Sequence, residues 1–498
     1  MLVSIQRALP RALVFMTLHI LLQEYWPHLV FLVTVSASAA AAVHAAMTKN
    51  DVRAAISWVG VVIMSPLFGP FLYLIAGINR IRRDQISQQR DKSLKEYARL
   101  PVPKALDIAS HSAPQFESLS ILGDKVSHHP LRNGNHIVLL QGGDETYPAM
   151  IQAIDEATKS IALQTYIFDH DSEGQKIVDA LTRAQERGVE IRVLIDSIGS
   201  KYSRPPIIKL LRKRGIRTAL FMTNPLGMRM PYANLRSHRK ILVVDGRIGF
   251  TGGMNIRAEF VTAVAGEKTC GDTHFKVEGP IVLQLISVFA QDWEFTTKEM
   301  LPYDTWCCET WDPPQPHAPA RCIRSGPDRF IENTHNMLLG AFAVAQKHIR
   351  VQSPYFLPDA TLLGAINTAA RRGITVDIVI PGSNNLRLVN YAMTAQLDQV
   401  IRNNCRVWSA RGNFNHSKLI TIDGAWSYVG SSNLDPRSLR LNFELDIEIY
   451  SHDTARTIEQ LIDAEIRNSD RITPESLAAM PFRKRLRNRI IWLASPYL

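Results

Sequence analysis

Charged side chains are missing from two stretches near the N-terminus. Residues 25–48 and 54–78 contain no Asp, Glu, Lys or Arg. A helix needs about 20 apolar residues to cross a bilayer, so both stretches are long enough. Pro66 and Pro70 would break a helix in water but are tolerated in membranes. We therefore expect two transmembrane helices, at about 25–48 and 54–78, within a membrane region that covers 1–80.

Two other interpretations of this region stay open. Arg7, Arg11, the apolar run 12–22 and the small residues 36–39 also fit a secretory signal peptide. The second apolar stretch also fits a re-entrant or buried hairpin. If both stretches cross, the positive-inside rule places everything beyond residue 80 in the cytoplasm, because a basic cluster follows Ile78.

Cysteine is scarce, and the few cysteines show no pattern of a metal site. The five are Cys270, Cys307, Cys308, Cys322 and Cys405, without the paired spacing of zinc ligands. Free thiols in a reducing compartment explain them best, with redox activity of the adjacent pair Cys307-Cys308 as the alternative.

Acidic residues are absent from the C-terminus and few beside the membrane region, so the charge of +11 is unevenly spread. Residues 80–104 hold eight basic and three acidic side chains, and residues 481–498 hold five basic and none acidic. The body between them, 105–480, is close to neutral. A nuclease is expected to be basic on its catalytic body, whereas charge beside apolar sequence is typical of contact with anionic lipid.

One short pattern occurs twice, 178 residues apart. The first copy comprises His238, Lys240, Asp245 and Asn255, and the second comprises His416, Lys418, Asp423 and Asn433. A Gly follows each Asp. Two copies in register predict two similar units that face each other across one site.

The residues around each copy predict strands and a phosphate site. Lys240–Val244 and Lys418–Ile422 are rich in β-branched residues, and a strand turns His and Lys two apart to the same face. The two Asp lie at an odd offset before a Gly turn, so we assign them a supporting hydrogen-bond role. Two Lys and two Asn supply positive charge and donors for a phosphate. One His can attack phosphorus while the other protonates the leaving oxygen, with no metal or cofactor required.

The two copies resemble the signature of the phospholipase D superfamily, His-x-Lys-x4-Asp followed by a Gly/Ser-rich turn and Asn. Over nearly the whole chain the sequence is most similar to the bacterial cardiolipin synthases, with support from 352–358, 433–444 and the 495–498 end. One departure is Gly253, where the second copy has Ser431. This removes a hydroxyl from one half and makes the halves inequivalent.

The resemblance implies a mechanism and a fold. One motif His becomes a phosphatidyl-histidine, and the other acts as acid and then base. Members of the superfamily place an acidic residue behind each His; Asp272 matches that position after the first copy and Glu444 after the second. The implied fold is α/β, a duplicated phospholipase D fold with a shared active site, preceded by a transmembrane helical hairpin.

The resemblance also implies a function and a domain plan. The expected activity is phosphatidyl transfer between two phosphatidylglycerols, giving cardiolipin and glycerol, at a bacterial inner membrane and with no nucleic acid partner. A hydrolytic phospholipase D, with water as acceptor, and a nuclease are the alternatives. The expected parts are the membrane region 1–80, a basic linker 81–115, the first domain 116–312, the second domain 313–480 and a basic tail 481–498.

The tail is expected to contact lipid. As a helix it places Phe482, Leu486, Ile490 and Leu493 on one stripe with the basic residues mainly between them, and Trp492 and Tyr497 suit a membrane interface. The alternative is that this stripe packs on the second domain.

Overall fold

The computed structural model describes residues 2–49, 51–78, 83–90, 107–223, 234–401 and 405–495, and gives no side chains for 2–22, 83–85 and 89. Much of the expected linker 81–115 and the end of the tail, including Tyr497, therefore lie outside the described residues. The chain separates into two compact units, Met1–Ile81 and Arg82–Leu498.

The first unit is helical. Its elements are α1 (Leu2–Thr48), α2 (Val52–Met64), α3 (Gly69–Leu72) and a π-helical turn at Tyr73–Gly77. Within α1, Gln23–Thr48 is apolar and long enough to cross a bilayer, and it is the one such helix among the described residues.

The expectation of a second continuous helix over 54–78 is wrong. α2 ends at Met64, because Pro66 and Pro70 cannot donate backbone hydrogen bonds within a helix. At about 1.5 Å per residue, α2 spans only about 20 Å of the roughly 30 Å hydrocarbon layer. The chain then folds back so closely that a Cβ on Gly69 would lie 2.6 Å from the Val61 carbonyl oxygen. This broken geometry is the one expected of the hairpin alternative.

The second unit is α/β. Its helices are α4 (Arg83–Arg90), α5 (Ile108–His111), α6 (Glu117–Val126), α7 (Gly142–Glu156), α8 (Ser172–Glu186), α9 (Ile207–Lys213), α10 (Thr262–Ala265), α11 (Ile281–Thr297), α12 (Tyr303–Trp306), α13 (Asn333–Val344), α14 (Ala360–Arg371), α15 (Arg387–Ile401), α16 (Pro436–Arg440), α17 (His452–Arg467), α18 (Pro474–Ala478) and α19 (Phe482–Leu493).

The strands of this unit join in one sheet. They are β1 (Arg132–Gln141), β2 (Ser160–Thr165), β3 (Glu190–Asp196), β4 (Thr218–Phe221), β5 (Arg236–Ser237), β6 (Ile241–Val244), β7 (Ile248–Gly252), β8 (Thr273–Glu278), β9 (Ala318–Ser325), β10 (His348–Gln352), β11 (Thr375–Pro381), β12 (Arg406–Ala410), β13 (Leu419–Ile422), β14 (Trp426–Gly430), β15 (Asn442–Tyr450) and β16 (Ser469–Ile472).

The strand order shows the duplication directly. From the centre outward, one half runs β1-β8-β7-β6-β2-β3-β4 and the other β9-β15-β14-β13-β10-β11-β12-β16. At the centre, β9 pairs antiparallel with β1 on one side and with β15 on the other. The sheet is therefore continuous through both halves. Each half buries its own apolar core beneath its helices. The predicted α/β fold with two similar units is confirmed.

Local sequence explains the repeated elements. Asp171 caps α8 by accepting from the backbone N–H groups of Glu173 and Gly174, and Asp359 caps α14 in the same way. Both helices end at an Arg-Gly pair, where Gly188 and Gly373 adopt φ of 86° and 91°. Glycine reaches this left-handed region without strain, so the chain can turn into the next strand.

Candidate active site

The Asp of each motif lies in a tight turn away from the histidines. Asp245 and Asp423 adopt φ of 52° and 55°, and the glycines that follow adopt 64° and 60°. Positive φ at both central residues defines the type I′ turn, for which Asp-Gly is a preferred pair. These turns join β6 to β7 and β13 to β14, and they set the register of both motif hairpins.

Both aspartates tie their turn to a neighbouring loop. The Asp245 carboxylate accepts from the backbone N–H groups of Thr158, Lys159 and Ser160. The Asp423 carboxylate accepts from the corresponding N–H groups of residues 346–348. The loops held in this way lead into β2 and β10. The structure therefore places these two residues in a supporting position, as their offset from His predicts.

The motif histidines are held across the two halves. His238 Nδ1 lies 2.9 Å from Glu444 Oε2, and His416 Nδ1 lies 2.9 Å from Asp272 Oδ2. Each carboxylate thus follows one motif in sequence and supports the histidine of the other. All four side chains are buried, and Glu444 is fully so. Because the carboxylates occupy Nδ1, Nε2 is the ring nitrogen that faces the substrate, and in His416 it also lies 3.0 Å from Lys418 Nζ.

The missing hydroxyl at Gly253 has a steric cause. In the second half, Ser431 Oγ donates to Glu444 Oε2 at 2.6 Å. In the first half, a Cβ on Gly253 would lie 2.3 Å from Asp272 Oδ1. The Asp272 carboxylate lies too close to the turn to leave room for any side chain at position 253. A glycine is therefore needed opposite Asp272, whereas the half with Glu444 has room for Ser431. The expected inequivalence of the two halves is present in the geometry.

The two imidazoles face each other in one cavity. Their ring centroids are 6.4 Å apart and their planes cross at 83°. The cavity has a volume of about 710 Å³ and is lined by both histidines together with Asn255 and Asn433. The Asn433 Oδ1 atom is buried and has no hydrogen-bond partner among the described residues, whereas Asn255 Oδ1 accepts from the Ile167 N–H. Eight of the ten predicted site residues thus meet in or directly behind this cavity once Glu444, Asp272, Lys240 and Lys418 are included.

The motif lysines occupy equivalent places beside the histidines. Lys240 Nζ donates to the His238 carbonyl oxygen at 2.6 Å, and Lys418 Nζ donates to the His416 carbonyl oxygen at 2.5 Å. Burial lowers the pKa of Lys240 to about 7 and that of Lys418 to about 8, although Glu444 and Asp272 act in the opposite direction. A bound phosphodiester would supply the negative charge that these buried cations need.

The pKa values of both histidines are lowered in the free site, which favours the neutral imidazole. Burial lowers the pKa of His238, against the effect of Glu444, and burial with the charge of Lys418 lowers the pKa of His416 to about 3. Burial alone would raise the pKa of Asp272 and Glu444, but the facing imidazoles and lysines hold both below the usual range. A neutral imidazole backed by a carboxylate is a nucleophile or base, and it becomes an acid once the phosphate charge is present.

Two tyrosines beside the histidines were not predicted. The Tyr166 ring lies 5.3 Å from His238, and the Tyr355 ring lies 6.1 Å from His416, centroid to centroid. Both line the cavity just after the ends of β2 and β10. The repeat does not indicate them: Gln164 and Gln352 occupy the same position of the two strands, which aligns Tyr166 with Pro354 and Tyr355 with Ile167.

A buried charge cluster behind the first motif was also missed. Arg239 donates to both oxygens of Asp292, and Arg90 of α4 forms a second ion pair with the same carboxylate at 2.5 Å. The second motif has Ser417 in the place of Arg239, so internal repetition gives no signal for this cluster. Part of the expected linker is therefore docked in the catalytic unit.

The described part of the chain contains no group of three or more His, Cys, Asp or Glu side chains arranged to hold a metal ion. The cavity brings together two imidazoles, two buried lysines and two amide groups. These groups suit a reaction in which one oxygen on phosphorus is displaced. The lysines place positive charge where negative charge develops in the transition state.

The lysine pKa values predict an alkaline limit to activity. A lysine is charged below its pKa, so the free site loses charge as pH rises through about 7 to 8. We expect kcat/KM for a phosphodiester lipid to fall above pH 8, while kcat holds to higher pH because the bound anion restores the lysine charge. The phosphodiester stays ionised throughout. Steady-state kinetics from pH 5.5 to 10 measure this, and a flat kcat/KM up to pH 9.5 would contradict it.

Comparison with known proteins gives one family. A family model described as "Cardiolipin synthase, PLD-like domain" matches residues 150–293 and 338–466, and a model described as "Phospholipase_D-nuclease N-terminal" matches 37–77. The chain is 31% identical to cardiolipin synthase A of Pseudomonas fluorescens over 471 residues, covering 92% of this chain and 95% of that protein. It is 29% identical to cardiolipin synthase of Geobacillus kaustophilus over 445 residues, covering 89% and 88%.

A solved structure shares the fold. The phosphatidylserine synthase of Haemophilus influenzae superposes with a TM-score of 0.59 at 16% identity, covering 76% of this chain and all of that one. At this identity the likeness concerns the fold alone.

Proposed function

This chain belongs to the cardiolipin synthase family of phospholipase D-like proteins, and we propose that it transfers a phosphatidyl group between two phosphatidylglycerols. The observation that carries the proposal is the pair of facing histidines, each backed by a carboxylate of the other half. The arrangement provides a nucleophile and an acid on opposite sides of one phosphorus atom.

The proposed reaction has two displacements. In the first, Nε2 of His238 attacks phosphorus, the bond from phosphorus to the headgroup glycerol oxygen breaks, and that oxygen takes the proton that His416 gained from water when the anionic phosphodiester bound. In the second, the headgroup hydroxyl of another phosphatidylglycerol gives its proton to His416 and attacks phosphorus, and the phosphorus–nitrogen bond breaks. Two phosphatidylglycerols become one cardiolipin and one glycerol, with no net proton change.

The proposed roles extend to all ten site residues. Lys240, Lys418, Asn255 and Asn433 would balance the charge on the non-bridging oxygens. Glu444 and Asp272 would stabilise the imidazolium forms. Asp245 and Asp423 would hold the hairpins that carry the motifs. The repeated strand order supports a division near residue 313 between the proposed domains 116–312 and 313–480, but Phe116 and Leu119 pack in the core of the second half, so the helix Glu117–Val126 goes with that half.

Product analysis tests the function. Purified full-length protein is incubated with phosphatidylglycerol, and lipids and glycerol are quantified by mass spectrometry. We expect cardiolipin and glycerol in equal amounts. Phosphatidic acid as the main lipid product would show that water is the acceptor, and cleavage of DNA without lipid turnover would show a nuclease. The near-neutral catalytic body is the reason that we propose no nucleic acid substrate.

A lipid substrate agrees with the apolar helix of the first unit. We propose a bacterial inner membrane protein in which α1 crosses once and the broken segment re-enters without crossing, because Gly77 returns to Lys49 at the end of α1; the catalytic unit then lies in the cytoplasm. The basic residues of 80–104 support this orientation. Labelling of single cysteines placed near Met1 and Arg82 with a membrane-impermeant reagent tests it. The site near Arg82 should be labelled from the cytoplasmic side alone and the site near Met1 from the opposite side alone; labelling of both from the cytoplasmic side would mean two crossings.

Activity should not depend on a divalent ion. Two lysines and two asparagines already supply the positive charge and the donors that a metal supplies in other phosphoryl-transfer sites. Exhaustive chelation of the enzyme is expected to leave kcat within about twofold, measured in detergent micelles so that substrate aggregation stays constant. Loss of activity that one particular ion restores would contradict this prediction.

A further inference from the structure

The C-terminal helix turns its apolar stripe outward. Phe482, Leu486, Ile490 and Leu493 of α19 are 67%, 47%, 58% and 73% exposed. The opposite side of the helix rests on the catalytic unit through Asn488, which is buried. Phe482 and Leu486 also line a groove of about 600 Å³ with Thr394, Ala395 and Leu477 of the second domain, but the groove leaves both side chains about half exposed or more.

The helix is fixed beside the mouth of the active-site cavity. The Arg487 guanidinium lies 3.6 Å from the centroid of the Tyr391 ring, and Arg489 lies 3.6 Å from the Asp398 carboxylate, both on α15. One turn before Tyr391, α15 begins at the cavity rim. There Leu386 and Leu388 line the cavity and are 46% and 54% exposed.

The rim and the outer side of the helix lie at either side of α15 and share two properties. Their apolar members are Leu386, Leu388 and the four residues of the α19 stripe. Their charged members are Arg387, Arg483, Lys484, Arg485, Arg487 and Arg489, and residues 481–495 contain no acidic side chain. An apolar stripe flanked by Arg and Lys is the pattern of a helix that lies in the headgroup layer of an anionic bilayer.

We propose that the rim and the outer side of the helix, here together called the docking face, bind anionic lipid bilayers and hold the cavity mouth against the headgroup layer. The inference rests on the proposed function, because it gives the lipid substrate a route into the cavity. A second copy of the chain fits less well, since a two-fold contact would press the same cationic helix against itself. A bilayer supplies negative charge and an apolar layer together.

The test compares two forms of one substrate with full-length protein. One variant carries Arg483→Gln, Lys484→Gln and Arg485→Gln; a second carries serine at Phe482, Leu486, Ile490 and Leu493. A matched control loses three exposed charges of α9, through Lys209→Gln, Arg212→Gln and Lys213→Gln. On phosphatidylglycerol in vesicles or mixed micelles, we expect kcat/KM of both docking-face variants to fall about tenfold or more. On short-chain phosphatidylglycerol below its micelle concentration, all variants should stay within about twofold of wild type.

Each other result overturns the proposal. Equal losses on both substrates would mean that the helix only supports the fold, and no loss on either would mean that the face does not touch lipid. A change in oligomeric state of the stripe variant in sedimentation velocity would identify a second copy as the occupant.

A readout without turnover separates this proposal from the proposed function. An environment-sensitive dye is attached at Ile490→Cys, with the partly exposed Cys270 and Cys308 replaced by serine. In nanodiscs its emission should shift to the blue when phosphatidylcholine is replaced by phosphatidylglycerol. This shift is expected even if the enzyme makes no cardiolipin. An unchanged spectrum in an enzyme that makes cardiolipin would refute the docking proposal and leave the proposed function standing.

Discussion

Replacing either motif histidine by alanine is expected to lower kcat by about a thousandfold or more. General acid–base catalysis alone contributes about 10² to 10⁴, and loss of the nucleophile removes the covalent route. The variants are His238→Ala and His416→Ala, assayed for cardiolipin formation. The control is His136→Ala, on β1 and outside the cavity, which should keep wild-type activity. Activity above one-tenth of wild type in either motif variant would contradict the two-histidine mechanism.

The two histidines should fail at different steps. We assign the attack to His238, so His238→Ala should release no glycerol in a single turnover. His416→Ala should still form the covalent intermediate from a substrate with a good leaving group, such as p-nitrophenol, that needs no protonation. The opposite pattern would reverse the assignment.

The sequence was sufficient for the fold class and indicated the motif residues and their two carboxylates, but it did not indicate Tyr166 or Tyr355. Two in-register motifs with Asp-Gly turns predict paired hairpins, and the offset of the aspartates predicts that they point away from the histidines. These inferences succeed because they depend on local rules, namely side-chain alternation in strands and the φ values that a turn demands.

Partner choice across the halves was beyond the sequence. Asp272 and Glu444 were identified as orienting residues, but nothing local indicates that each crosses to the other half. That pairing arises because the backbones cross as well: the His238 N–H donates to the Phe443 carbonyl and the His416 N–H donates to the Gly271 carbonyl. Contacts between residues more than 140 positions apart depend on how the two halves pack together. A local pattern of apolar and polar residues carries no information about such contacts.

The broken second apolar stretch was missed for a different reason. Composition cannot distinguish a continuous membrane helix from a folded-back one when both are apolar throughout. The prolines and Gly69 were the available signal. Their tolerance in membranes made that signal weak, and the close contact at Val61 is what fixes the bend.

Glu444→Gln and Asp272→Asn are each expected to lower kcat by about a hundredfold or more. The amides keep the size of the side chains but cannot stabilise an imidazolium by charge, and they can present N–H to Nδ1 and favour the wrong tautomer. The matched control is Glu459→Gln, which removes the carboxylate paired with His348 away from the cavity. The control should stay within about twofold of wild type. Equal losses in all three variants would indicate a general effect on folding.

Imidazole N–H resonances test the crossed pairing itself. In protein labelled with ¹⁵N-histidine, Glu444→Gln should remove the hydrogen-bonded Nδ1–H signal of His238 and leave that of His416. Asp272→Asn should do the reverse. Loss of the signal from the same half as the substituted carboxylate would contradict the crossed arrangement.

The central claim is covalent phosphatidyl transfer through one site shared by both halves. Its most direct measurement is a rapid alkaline quench of enzyme mixed with phosphatidylglycerol, followed by peptide mapping with mass spectrometry. The account predicts one phosphatidyl group on a single motif histidine, His238, and its transfer into cardiolipin during a chase with unlabelled phosphatidylglycerol. Cardiolipin formation at the full rate with no modified histidine, or with modification outside the two motifs, would contradict it.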